Sequence, residues 1–169
     1  MKSCILGLDP GLAITGYCVL KIASGKPRLV EAGILRVSRA QTLEKRLLEL
    51  FTGVREILEN QDIGSMAVEQ LYSHYERPRT AILMGHARGV LCMAAAQSGI
   101  EVHSYASTKV KKLLTGNGRA PKTQMQYAVQ QQLKLAAIPE PADVADAIAI
   151  ALCHFFMQAT PSARLRAVP

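Results

Sequence analysis

Four carboxylates occupy positions that suit divalent-metal chemistry. Asp9 follows the apolar run at residues 3–8, and Glu69 ends a second short apolar run. Asp143 and Asp146 lie three residues apart, so a helix would project both from one face. Carboxylate oxygens supplemented by water suit Mg²⁺ or Mn²⁺. Two such ions roughly 3.5–4 Å apart clamp the attacking and leaving oxygens of a phosphodiester, so the acids are candidates for a metal-dependent hydrolase.

Each acid also has a structural explanation. Asp9 precedes a Pro-Gly pair, which is typical of a turn, and Glu69 could mark a strand that ends at solvent. Asp143 and Asp146 could complement the dipole of a helix N-terminus. However, residues 144–153 are apolar apart from Asp146, which is typical of a helix buried on all sides. We therefore expect its acids to face a polar site, where clustered carboxylates need protons or cations for neutralisation.

Hydrophobic periodicity predicts the elements that must position these acids. Strands are predicted at residues 3–8, 15–22, 28–37, 65–69 and 101–105. Helices are predicted at residues 43–58, 79–98, 107–114, 123–133 and 142–158. Three consecutive strands followed by alternating helices and strands predict an α/β fold. Its mixed sheet would have three antiparallel strands, then parallel strands, with helices on both faces.

Length and composition favour one soluble domain. The 169 residues are 49% hydrophobic, without an apolar run of the length that a membrane helix needs. We predict a single domain at residues 1–158, a loosely ordered tail at residues 159–169, no signal peptide and a cytoplasmic location. The four cysteines form no Cys-x-x-Cys pair, which predicts buried thiols and not a zinc site.

Basic residues indicate a polyanionic partner. Twenty Lys and Arg residues against thirteen Asp and Glu give a net charge of +7, which favours nucleic acid, although an acidic membrane surface would also satisfy it. Arg77 and Arg79 flank Pro78 shortly after Glu69 and are candidate phosphate contacts. A second group surrounds a Gly-Asn-Gly turn, where glycine lets the backbone approach phosphate closely; the alternative is a solvated charged face. Its members are Lys109, Lys111, Lys112, Arg119 and Lys122.

Five short segments carry a family resemblance. Residues 5–154 resemble the RuvC family of junction resolvases, which implies a ribonuclease-H-like fold. His86 stands where glutamine is more usual in this family, and the loop at residues 71–78 also departs from its best-known members. The matching segments are GLDPG at residues 7–11, TGY at 15–17, AVEQ at 67–70, GHARGV at 85–90 and DVADA at 143–147.

The resemblance implies specific chemistry. Asp9, Glu69, Asp143 and Asp146 would be the catalytic acids, which bind two Mg²⁺ ions per subunit, with Mn²⁺ as the alternative. The implied reaction is in-line attack by water, which leaves a 5′ phosphate and a 3′ hydroxyl. Two subunits would nick strands of like polarity symmetrically across a four-way (Holliday) junction. The implied roles of the remaining matching residues are DNA binding for Lys111, DNA binding and charge stabilisation for Lys122, and base contact for Tyr72, which could instead pack at the sheet edge.

The segment around Gly85 and Gly89 bears on helix packing and on whether the chain forms a homodimer. Each glycine costs about 1 kcal/mol relative to alanine in a helix interior, which predicts compensating close packing on the sheet or a neighbouring helix. The resemblance implies that this helix also contributes to a homodimer, and that the branch-migration proteins RuvA and RuvB are partners. Arg88, in the same helix, is expected to be either a phosphate contact or structural.

Three other functions stay open at this stage. The acids alone would also suit a ribonuclease-H-like nuclease for RNA or simpler branched DNA. A junction-binding protein without cleavage activity would not need all four acids. A sugar-kinase-like or actin-like domain also begins with a strand, Asp and Gly, but such proteins enclose nucleotide between two domains and this chain supplies one.

Overall fold

The computed structural model describes residues 3–71 and 78–159. Each predicted strand and helix is present there, with ends that differ from the predicted ends by no more than two residues. The elements in chain order are β1 (Cys4–Asp9), β2 (Ile14–Ala23), β3 (Lys26–Arg36), α1 (Leu43–Asn60), β4 (Ile63–Glu69), α2 (Pro78–Gln97), β5 (Glu101–Tyr105), α3 (Ser107–Thr115), α4 (Lys122–Leu133) and α5 (Ala142–Ala159).

The strands form one mixed sheet in the order β3-β2-β1-β4-β5. β1, β2 and β3 pair antiparallel, whereas β4 pairs parallel to β1 and β5 pairs parallel to β4. This arrangement confirms the predicted sheet. The carboxyl ends of β1, β4 and β5 consequently meet at one edge, where open α/β sheets commonly bind ligands.

Alternate side chains of the central strands pack into two separate hydrophobic cores, one on each face of the sheet. Leu6 and Leu8 of β1 pack on the face covered by α1 and α2. Ile5 packs on the opposite face, which α5 covers together with α4 and part of α3. Residues 144–153 of α5 are buried apart from half-buried Asp146, which confirms the burial predicted from their apolar composition.

The outer side of α2 differs from the prediction. An added Cβ at Gly85 or Gly89 would meet no atom within 4 Å, so the expected close packing of these glycines on the rest of the chain is wrong. Cys92 on the same helix is only half-buried, whereas Cys4, Cys18 and Cys153 are buried as expected. Both differences have one cause, because the described residues place no second layer over this side of α2.

Two further predictions concern membrane-spanning helices and the C-terminal tail. Among residues 3–71 and 78–159, no helix combines the length and the apolar character needed to cross a bilayer. The predicted tail lies outside the described residues except for Ala159, which is the last residue of α5.

Candidate active site

Asp9 and Glu69 stand side by side at the carboxyl edge of the sheet. They are the last residues of β1 and β4, which are parallel neighbours whose last register pair is Leu8 with Val68. Both acids fall in the alternating set that faces α5. The two carboxyl groups are close enough for each to shift the pKa of the other, and both line one cleft.

The first turn of α5 brings Asp143 and Asp146 to the same edge. Gly16 lies directly opposite Asp9 in the β1–β2 pairing, and a Cβ there would overlap the backbone carbonyl of Asp143. Gly7 has the same role one helical turn further on, because its Cβ would overlap the Ala147 carbonyl. Glycine inside these strands therefore allows the helix backbone to rest directly on the sheet.

A buried histidine fixes the other end of α5. His154 Nδ1 is 2.7 Å from the Tyr105 hydroxyl of β5, and its Nε2 is 2.9 Å from the Ser65 hydroxyl of β4. Burial and the neighbouring His103 lower the pKa of His154 to about 4, so the ring is neutral near pH 7. The helix that carries two of the acids is thus held to the sheet at both ends.

Burial and mutual repulsion raise the pKa of the acids. The pKa of Asp9 rises to about 8, first because the group is buried and then because Glu69, Asp146 and Asp143 are negative. A protonated Asp9 can donate a hydrogen bond to Glu69. Burial also raises the pKa of Glu69, while hydrogen bonds from Asp9 and Ser107 and the charge of Lys111 act in the opposite direction.

Two lysines balance the acids across a cleft of about 260 Å³. Burial raises the pKa of Asp146, whereas the charges of Lys122 and Lys111 lower it. The cleft therefore combines clustered carboxylates with two lysines above an apolar floor. Because the floor is apolar, the local dielectric constant is low and the electrostatic interactions in the cleft are strengthened. Its lining comprises Asp9, Glu69, Ser107, Lys111, Lys122 and Asp146 over a floor of Val110, Met125, Ala149 and Ile150.

The other predicted site residues lie elsewhere. Lys109 is exposed, with its amine 5.6 Å from the centre of the Tyr105 ring. Lys112, Arg119 and Arg79 are exposed and do not line the cleft. Tyr72 and Arg77 fall outside the described residues.

The sequence predicted that four acids could gather as metal ligands, and the structure brings them together only partly. Asp9, Glu69 and Asp146 line the cleft, while Asp143 lies near enough to raise the pKa of Asp9 and Asp146. Within residues 3–71 and 78–159, no three Asp, Glu, His or Cys side chains form a closed ligand group. The donor chemistry fits a hard divalent cation, because the acids supply only oxygens and a cation would relieve their repulsion.

A model of the family "Crossover junction endodeoxyribonuclease RuvC" matches residues 5–154. The chain belongs to the RuvC family. A RuvC from Rhodopirellula baltica is 55% identical over 94% of this chain and 89% of its own length. One from Desulforamulus reducens is 40% identical over 96% of this chain and 99% of its own length.

Solved RuvC structures have the same fold. Thermus thermophilus RuvC superposes with a TM-score of 0.83 at 30% identity, covering 92% of this chain and 96% of that one. A second structure, T. thermophilus RuvC in complex with Holliday junction substrate, gives a TM-score of 0.85 at 30% identity, with coverage of 93% and 96%. The expected family, the ribonuclease-H-like fold and the endodeoxyribonuclease class are therefore confirmed. RuvC membership also implies dependence on a divalent cation.

Three residues of the RuvC site escaped the sequence-based prediction of site residues. Ser107 begins α3, lines the cleft and lowers the pKa of Glu69, but a serine at a helix start is ordinarily interpreted as a helix-terminus residue. Gly7 and Gly16 belong to the family segments, yet their role depends on contact with a distant helix. A glycine in the interior of a predicted strand was the available signal for such a close approach.

Proposed function

We propose that this RuvC-family chain resolves four-way Holliday junctions by paired, symmetric, metal-dependent nicks during recombination and DNA repair. The observation that carries the proposal is the cleft in which three strand-end and helix acids meet two lysines. Support for the substrate comes from the related T. thermophilus RuvC, which has been solved in complex with a Holliday junction substrate.

We assign metal binding to Asp9, Glu69 and Asp146 in the cleft, together with Asp143 beside it. Two Mg²⁺ ions, with Mn²⁺ as the alternative, would supply an activated water and stabilise the leaving oxygen. Asp9 must lose its proton before it can serve as a ligand, because a carboxylate binds cations only when it is ionised. The apolar floor limits the water that can compete for the phosphate.

Lys122 and Lys111 are assigned to the phosphodiester. Both lysines influence the pKa of Asp146, so their charges act within the acid cluster and not at a remote surface. Charge develops on the phosphate oxygens as the bond to the leaving oxygen breaks. We expect Lys122 to stabilise that charge and Lys111 to hold the phosphate in place.

Exposed basic residues outside the cleft are assigned to the junction arms. Phosphate neutralisation by Lys and Arg releases counterions, so binding should weaken steeply as salt increases. We assign base contact at the junction centre to Tyr72. The proposed phosphate contacts are the exposed residues Lys109, Lys112, Arg119 and Arg79, together with Arg77, which lies outside the described residues.

The outer side of α2 is assigned to a homodimer. Gly85 and Gly89 leave open space there, beside a shallow apolar groove that also includes His86. Ile82 of this groove is 61% exposed and Met93 is 49% exposed, and contiguous exposed apolar residues mark interaction surfaces. A two-fold axis through this side would match a near-symmetric junction. The groove is completed by Leu47, Val90 and Met93.

Three expectations of wider scope remain proposals. We propose a single nuclease domain at residues 1–158, which the family match to residues 5–154 supports. RuvA and RuvB are proposed partners through the RuvC resemblance. We propose a cytoplasmic location, since the proposed substrate is chromosomal DNA.

The test compares a synthetic four-way junction with a linear duplex of the same sequence, in magnesium and in EDTA, with products mapped on all four strands. Paired, ligatable nicks confined to the junction and to magnesium are expected. Tight binding without metal-dependent cleavage would instead identify a junction-binding module. Equal cleavage of both DNAs would identify a nuclease without junction selectivity.

A further inference from the structure

Two arginines on the α1–α2 side of the sheet reach the backbone beside the strand-end acids. Arg88 of α2 donates from Nε to the Glu69 carbonyl at 3.4 Å and from Nη2 to the Ser104 hydroxyl at 2.5 Å. Ser104 is paired with Val68 in the β4–β5 register. The Arg88 guanidinium therefore bridges the ends of two adjacent strands at the residue that supplies one acid.

Arg46 of α1 makes a comparable contact at the end of β1. Its Nη2 donates to the Leu12 carbonyl at 3.2 Å, in the turn that follows Asp9. The same turn is closed by Thr15, whose hydroxyl donates to the Gly11 carbonyl at 2.6 Å. α1 and α2 therefore each contribute one arginine, which contacts the turn after Asp9 or the end of β4 at Glu69.

These arginines are unsuited to contact with substrate. Both are half-buried, neither lines the cleft, and both bond to groups of the protein itself. Arginine is a planar fork with donors in a fixed geometry, so two simultaneous bonds restrict the position of its acceptors more than a lysine would. The contacts are consequently well suited to fixing the strand ends.

We propose that Arg88, assisted by Arg46, is a positioning residue that holds the backbone of Glu69, and with it the acid cluster, from the face opposite α5. This inference rests on the proposed function, since it assigns the acids to metal binding. Groups that orient metal ligands from behind typically change metal affinity or activity about 10–100-fold when they are removed.

The test uses Arg88→Met, which keeps the length of the stem and removes the donors. Arg55→Met is the matched control, because Arg55 lies on the surface of α1 and contacts Glu59 and the Phe51 ring of the same helix, away from the acids. Three quantities are measured for each protein: magnesium affinity by calorimetry without DNA, junction affinity in EDTA, and the single-turnover rate at saturating junction. For Arg88→Met we expect about 10-fold weaker magnesium binding and an about 10–100-fold slower rate, with junction affinity within about two-fold of wild type.

Magnesium affinity and rate equal to those of Arg55→Met would overturn the proposal. A loss confined to junction affinity would also overturn it, because Arg88 would then be a phosphate contact.

If Arg88→Met fails to fold, Ser104→Ala and Ser104→Thr are measured instead. Ser104→Ala should weaken magnesium binding, whereas Ser104→Thr keeps the hydroxyl and should bind magnesium as wild type does. Identical magnesium binding by both Ser104 variants and wild type would be the contrary result. Wild-type protein that binds magnesium but cuts no junction would count against the proposed function alone, since calorimetry still reports on Arg88.

Discussion

Asp9 must be ionised to bind a metal ion, and ionisation of this buried group destabilises the fold. Its carboxyl group is buried beside three other acids, which raises its pKa to about 8. A group whose pKa is higher in the folded than in the unfolded protein favours folding at low pH and opposes it as the pH rises through the folded value. Without a cation, the ionisation of Asp9 should therefore cost stability between about pH 4 and pH 8.

Asp9→Asn should consequently stabilise the metal-free protein while it abolishes cleavage. In EDTA at about pH 8.5 we expect a melting temperature about 2–8 °C above wild type, since relief of about 1–2 kcal/mol shifts a chain of this size by that amount. At about pH 3.5 the difference should be small, because Asp9 is then largely protonated in both the folded and the unfolded protein. Differential scanning calorimetry at both pH values, with and without magnesium, checks this. A variant less stable than wild type at high pH would refute the electrostatic account.

Substitution of Lys122 distinguishes a role in catalysis from a role in DNA binding. Lys122→Ala should slow the single-turnover rate by roughly 100-fold, as expected for loss of a group that stabilises developing charge. Junction affinity in EDTA should fall by only about two- to three-fold. Lys112→Ala, at an exposed lysine outside the cleft, should instead weaken binding and reduce the salt dependence by about one phosphate contact. Equal losses in rate and affinity for Lys122→Ala would make Lys122 a binding residue.

At the scale of elements, the site depends on how closely α5 lies on the β1–β2 hairpin. The two strand glycines set that distance, because any side chain at either position would meet helix backbone. The strand ends supply Asp9 and Glu69 regardless of the helix. The position of Asp143 and Asp146, in contrast, depends on this one contact between elements.

Gly16→Ala tests that dependence. The added methyl group would overlap the Asp143 carbonyl and displace the first turn of α5, and a displacement of about 1 Å can cost roughly 100-fold in rate. Gly33→Ala, on the neighbouring strand, is the matched control because the atoms nearest to its methyl group belong to the Tyr17 side chain and not to the helix backbone. Single-turnover cleavage and magnesium calorimetry measure the effect in protein shown to be folded by circular dichroism. Indistinguishable results for the two variants would contradict the role of Gly16.

The elements were predictable where a single local pattern determines them. Alternating and helical apolar spacing located the strands and helices, and the apolar composition of residues 144–153 predicted a buried α5. Contacts between distant segments were less predictable: the place of Ser107 beside Glu69 leaves no local pattern, and the strand glycine at position 16 signals a close approach without telling which helix makes it. The packing of Gly85 and Gly89 was predicted wrongly because helical spacing does not tell which neighbour, if any, covers a face.

At the scale of the whole molecule, the acid cleft and the apolar groove lie on opposite sides of the sheet. The cleft is lined by α3, α4 and α5 together with the strand ends, whereas the groove lies on α1 and α2. A dimer formed through the groove would leave both clefts free for DNA. Two cleavage centres would then act on one junction, which a monomer cannot do in a single binding event.

Gly89→Glu should dissociate this dimer without harming the fold. A Cβ at Gly89 meets no atom within 4 Å, and glutamate is a better helix former than glycine, so monomer stability should be unchanged or higher. Burial of a charge in an apolar interface should shift sedimentation velocity profiles to monomer and replace paired nicks with single ones. Gln97→Glu, at an exposed position on the same helix, is the matched control. A dimeric Gly89→Glu protein would place the interface elsewhere.

The late position of α5 in the chain has a consequence for biosynthesis. α5, which covers β1 and β2 and carries Asp143 and Asp146, is translated after β1, β2 and β4. Until α5 docks, Ile5 and Leu20 lack the apolar cover that this helix provides, and transiently exposed apolar surface of this kind favours aggregation. A chain that stalls before α5 would also lack Asp143 and Asp146, two of the four acids proposed to bind metal, and under that proposal it would be unable to cut DNA.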